Sequence, residues 1–157
     1  MPVPDFVLEL RSHIGTAPLW LSGITAVVLD ASGERMLLIR RADNGAWTPV
    51  TGIIDPGEQP AVAAAREAME ETGVVIRVDR LASTSVTGEV VYPNGDRSRY
   101  LDITFACRYL SGDPHPADGE ASEVDWFALD ALPTMSEDMR WRIATALSDG
   151  PAQFLTR

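Results

Sequence analysis

Residues 52–74 read GIIDPGEQPAVAAAREAMEETGV, and the fold is decided there. Asp55-Pro56-Gly57 is a turn signal, because proline fixes φ and glycine accepts backbone angles that other residues resist. Pro60 suits the first turn of a helix, where its missing N–H costs nothing. Gly73 stands where a left-handed C-cap belongs. The spacing therefore predicts a helix that carries Glu67, Glu70 and Glu71. At about 100° per residue, Glu70 and Glu71 fall roughly 60° and 40° to either side of Glu67, so the three carboxylates share one face. Ala61, Val62, Ala65 and Met69 fall on the opposite face, which the pattern assigns to the core. Ala63 and Ala64 lie on the acid side.

A run of like charges is ordinarily a solvated helix surface. Like charges one turn apart destabilise a helix by about 0.2–0.5 kcal/mol per pair. A hard divalent cation with oxygen ligands offsets such repulsion, and the surrounding turn and caps favour that reading over a solvated face. Glu58 and Arg66 are spaced to pair across the loop–helix junction.

The pattern Gly52, five residues, Glu58, seven residues, Arg66-Glu67, Ala68, Met69, Glu70-Glu71, Thr72-Gly73-Val74 resembles the Nudix box. Ala68 is its one soft match, since a larger aliphatic residue is usual there. The resemblance implies an α/β fold, the Nudix α/β/α sandwich with a mixed β-sheet. It also implies a hydrolase that cuts the diphosphate bond of a nucleoside diphosphate linked to another group, using Mg2+ or Mn2+. By the same resemblance Glu67, Glu70 and Glu71 are metal ligands, joined by the backbone carbonyl of Thr51. Gly52, Glu58, Arg66 and Gly73 take supporting roles. The general base is a box glutamate such as Glu67 or Glu70, or a glutamate from a later loop, here Glu120 or Glu123. The chain departs from the family where Pro49-Val50-Thr51-Gly52 replaces the common Leu-Pro-Gly-Gly run. A differently shaped loop is expected there, because β-branched Thr51 resists glycine-like angles. Arg40 and Arg41 at a strand end and Trp47 beyond it are candidate substrate contacts.

Two other functions share this fold. Isopentenyl diphosphate isomerase uses a cysteine and a glutamate, but Cys107 follows the box within a strand and does not match that pattern. A non-catalytic nucleotide sensor would be expected to have lost box acids, which this chain keeps.

The remaining sequence bounds the class. A length of 157 residues suits a single domain with a sizeable core, and the hydrophobic content of 45% is that of a globular protein. The formal net charge of −10 argues against a stable nucleic-acid surface, which needs clustered lysine and arginine. The expected partner is instead a small phosphorylated substrate, a nucleotide derivative. No apolar run is long enough for a membrane span. A single cysteine and an N-terminus without a basic-then-apolar leader lead to the expectation of a cytoplasmic protein. Strands are expected over 19–30 and 34–41, then an extended piece near 47–50. One or two strands follow over 74–93, then a turn at Asn94-Gly95 and a return strand over 99–110. A polar loop over 111–122 leads into a strand and turn over 123–133. A short helix over 4–14, with Phe6, Val7, Leu10 and Ile14 on its apolar side, and a C-terminal helix over about 136–147, capped by Ser136, complete the chain. The N-terminal segment and the hairpin are candidate homodimer contacts.

Overall fold

The computed structural model describes residues 3–156. In chain order the elements are α1 (Asp5–Ile14), β1 (Leu19–Leu29), β2 (Arg35–Arg41), β3 (Trp47–Thr48), β4 (Val50–Ile53) and α2 (Pro60–Thr72). They continue with β5 (Val75–Val86), β6 (Val90–Val91), β7 (Arg97–Ser111), β8 (Ala121–Ala128), α3 (Glu137–Leu147) and β9 (Gln153–Phe154). The strands form one mixed sheet in the order β3-β2-β1-β7-β5-β9, with β4 and β8 added on β1 and β2 and β6 on β7. β1 and β7 run parallel in unbroken register from Leu19↔Ser98 to Leu29↔Arg108. A parallel pair needs a crossover, and the chain between them supplies it together with α2.

Side chains of β1 alternate between the two faces, as a strand requires. Ile24, Ala26 and Val28 join Leu37, Ile39, Val50 and Cys107 in a core under α2. Val27, with Met36, Leu38 and Ala82, meets Met135, Ile143 and Ala146 in a second core under α3. The result is the α/β/α sandwich. The Ser136 hydroxyl accepts the Met139 amide at 3.2 Å and so caps α3. Among the described residues no helix is long and apolar enough to cross a membrane.

Four local expectations are corrected. Helix α2 is turned the other way from the apolar-stripe reading: Ala63, Ala64, Glu67, Ala68, Glu71 and Thr72 are buried. Val62 and Met69 are 57% and 44% exposed, Ala61 is exposed, and Ala65 is half-buried. Small alanines let the helix approach the sheet closely, and the acids are carried inward with them. On α1 only Val7 is buried, while Leu10 and Ile14 stay exposed, so its apolar side is mostly uncovered. β7 runs to Ser111 and β8 starts at Ala121, shortening the loop between them. A ninth strand, β9, pairs with β5 where no strand was expected.

Candidate active site

β4 and α2 are in contact at the first residue of the box. A methyl group built on Gly52 would overlap the Glu67 carboxyl, so any side chain there displaces the acid or the strand. Thr51 lies in regular strand, opposite Thr25 of β1, without positive φ. At the far end of α2, Gly73 adopts φ 69° and its N–H bonds to the Met69 carbonyl, ending the helix.

Arg66 ties loop, strand and helix together. Its Nε and Nη2 donate to the two Glu58 carboxylate oxygens at 2.9 and 2.8 Å. Nη1 donates to Glu67 Oε1 at 2.9 Å and to Glu70 Oε2 at 3.0 Å, and Nη2 also reaches the Ile53 carbonyl at 3.1 Å. This bidentate geometry is particular to a guanidinium. The Arg66 bonds hold Glu58 below the usual carboxylate range.

Glu67 and Glu71 are 2% and 3% exposed. Burial pushes Glu67 up to about 7 against the pull of Arg66. Burial pushes Glu71 up to about 9, reinforced by the charges of Glu67, Glu120 and Asp118. Oε2 of Glu71 is buried with no hydrogen-bond partner. A buried carboxylate oxygen left unpaired costs free energy that a cation would offset. The donors are hard oxygens, which suit Mg2+ or Mn2+. Among the described residues no three acidic, histidine or cysteine side chains are already drawn into a metal-binding group, and Glu67 and Glu70 are held by Arg66 instead. Glu70 is the most open of the three acids, with its side chain 41% exposed.

The loop after β7 folds over the end of α2. His115 N donates to Thr72 O at 3.0 Å and Ala117 N to Glu71 O at 3.1 Å, satisfying carbonyls that the helix end leaves open. Asp118 and Glu120 thereby come within electrostatic reach of Glu71, and Glu120 also of Glu67. Asp118 was not singled out from the sequence. Asp118-Gly119-Glu120 showed only a polar turn, and the anchoring is made by backbone groups.

The other candidates are engaged in contacts of their own. Glu123 pairs with Arg40 at 2.5 Å on the exposed surface of β2 and β8. Arg41 forks onto Asp43 at 3.0 and 2.7 Å. Trp47 packs edge-on against Phe127, ring centroids 4.8 Å apart, beside the α3 core. Cys107 is buried under α2 and burial pushes its thiol up to about 12, so it stays protonated and unsuited to isomerase chemistry.

The NUDIX domain model matches residues 20–148. The chain belongs to the Nudix family. It is a hydrolase by that membership. A MutT-like protein of Streptomyces ambofaciens is 36% identical over 131 residues, 83% of this chain and 79% of that protein. The NAD-capped RNA hydrolase NudC of Pseudomonas aeruginosa is 31% identical over 111 residues, which is 69% of this chain and only 37% of that protein. Among solved structures, a UDP-X diphosphatase superposes with TM-score 0.66 at 21% identity, covering 96% of this chain and 73% of that one. An ADP-ribose pyrophosphatase from Streptococcus suis gives 0.63 at 21% identity, covering 85% and 98%. At such identity the likeness is one of fold.

Proposed function

We propose that this Nudix protein is a pyrophosphohydrolase dependent on Mg2+ or Mn2+, acting on a nucleoside diphosphate linked to a second group. The observation that carries this reading is the pair of buried carboxylates, Glu67 and Glu71, with one Glu71 oxygen left unpaired. A bound divalent ion supplies charge neutralisation at the diphosphate oxygens and eases deprotonation of water. Glu67, Glu70, Glu71 and the Thr51 carbonyl are the groups that would hold it. Arg66 orients Glu67 and, through Glu58, fixes the loop beside it. Glu120 is the loop carboxylate that accepts the proton of the attacking water, because its side chain interacts with both buried acids. The products are a nucleoside monophosphate and the phosphorylated remainder.

A net charge of −10 favours a small dinucleotide or nucleotide sugar over a capped RNA. The test is a product assay on ADP-ribose, NAD, a UDP-sugar and a nucleoside triphosphate, each with Mg2+ and with Mn2+. Cleavage of at least one diphosphate bond, abolished by chelation, is expected. A folded protein that cleaves none of them overturns the proposal.

A further inference from the structure

Gly73 does more than end α2. A methyl built on it would overlap the His115 imidazole, so that ring lies directly on the helix cap. A methyl on Gly112 would in turn overlap the Gly73 carbonyl, and Gly112 adopts φ 101°. Two glycines thus let the segment after β7 cross the end of α2 at backbone contact, with angles that other residues resist. The Tyr109 hydroxyl donates to the Gly112 carbonyl at 2.9 Å and ties the crossing to the strand.

The segment beyond the crossing is stiff. Asp113-Pro114-His115-Pro116 holds two prolines, each fixing its own φ and disfavouring helical angles in the residue before it. His115 Nδ1 lies 2.7 Å from the Asp113 carbonyl oxygen. A carbonyl only accepts, so Nδ1 carries the proton and the ring is fixed in orientation. The backbone then bonds twice to the helix end, His115 N to Thr72 O and Ala117 N to Glu71 O. Glu120 follows after a short turn in which its amide donates to Asp118 Oδ1 at 3.0 Å. Its carbonyl accepts the Ala42 amide at 2.8 Å, just past the end of β2. Glu120 is therefore bracketed between the end of α2 and the end of β2, within electrostatic reach of Glu67 and Glu71. The His115 side chain is itself exposed, so its contact with Gly73 adds little to the core.

We propose that His115 is a positioning residue: seated on Gly73, it clasps residues 112–120 to the end of α2 and so holds Glu120 against the buried acids. The assignment rests on the reading of Glu120 as the base and adds the side chain that places it. The box glycine Gly73 then serves twice, as the left-handed cap of the helix and as the seat of the ring.

Hydrogen exchange of the full chain reads the clasp without hydrolysis. In His115→Ala the Ala117 amide should exchange at least about 10-fold faster, while amides within α2 and β7 exchange as in the wild type. The positioning is read by steady-state kinetics on whichever of ADP-ribose, NAD, a UDP-sugar or a nucleoside triphosphate the wild type cleaves. His115→Ala should lower kcat by about 10- to 100-fold with KM within about twofold, the scale of a misplaced catalytic group. Added to Glu120→Gln, it should lower kcat no further, because the group it places is already gone. Unchanged exchange at Ala117, an unchanged kcat, or a kcat loss that multiplies with that of Glu120→Gln overturns the proposal. A wild type that cleaves none of the four, with Ala117 exchange accelerated in His115→Ala, overturns the hydrolase reading and leaves the clasp standing.

Discussion

The Glu67 carboxyl occupies the volume that any side chain at Gly52 would take, so strand β4 and helix α2 are in direct contact there. The contact sets the depth at which the buried acid sits. Gly52→Ala forces the carboxyl or the strand aside, and overpacking of this kind costs about 1–3 kcal/mol. The variant should fold with a lower unfolding temperature and lose most divalent-ion affinity, measured by melting with and without Mn2+. Wild-type affinity in Gly52→Ala would show that Glu67 need not lie against β4.

The two buried acids give the protein a pH signature. In the unfolded chain both titrate near the ordinary glutamate value of 4.5, while in the fold Glu67 stands at about 7 and Glu71 at about 9. Between these values the folded state holds more protons than the unfolded one. Stability without metal therefore falls as pH rises from about 4.5 through about 9. A bound cation replaces the protons and stabilises by mass action, so the gap between melts with and without Mg2+ should widen with pH. Glu71→Gln should flatten the metal-free slope at its upper end and narrow the gap. An unchanged slope in that variant counts against the assignment of the upper titration to Glu71.

Glu120 and Glu123 were equivalent in the sequence and are separated by the fold. Glu120 interacts with both buried acids, whereas Glu123 is engaged by Arg40 on the surface. Glu120→Gln should lower kcat by about 100-fold or more with little change in KM, the range typical of a lost general base. Glu123→Gln removes an exposed pair worth about 0.2–1 kcal/mol and should leave kcat within about twofold. Steady-state kinetics on the preferred substrate decides it, and the reverse ranking would return the role to Glu123.

Spacing made the loop, the helix and its acids legible because turn, proline and C-cap act within a few residues. The buried side of α2 was not legible. Ala61, Ala63, Ala64, Ala65 and Ala68 make several faces small enough to pack, and a carboxylate is read as solvent-facing until its ligand is considered. The parallel register of Leu19 with Ser98 joins distant segments, which no local pattern encodes. Asp118 escaped notice for a related reason, since the bonds from His115 and Ala117 that fold its loop onto α2 come from the backbone.

The face of the sheet under α3 is pinned by a buried ion pair. Asp102 accepts from Thr25 Oγ1 and Thr104 Oγ1, each at 2.7 Å, and from Arg142 Nη1 at 3.1 Å. Arg142 Nη2 also reaches Asp138 at 2.6 Å. Burial raises the Asp102 pKa while Arg142 and the two hydroxyls pull against it. Removing one partner strands a charge in the interior, so Arg142→Met should cost about 3–5 kcal/mol in urea unfolding, with the m-value unchanged. Replacing both partners by apolar residues removes that penalty. The double variant Asp102→Leu/Arg142→Met should therefore be more stable than either single variant. Strict additivity of the two losses would mean that the pair is not coupled, and that hydroxyl contacts or packing hold α3 to β1 and β7.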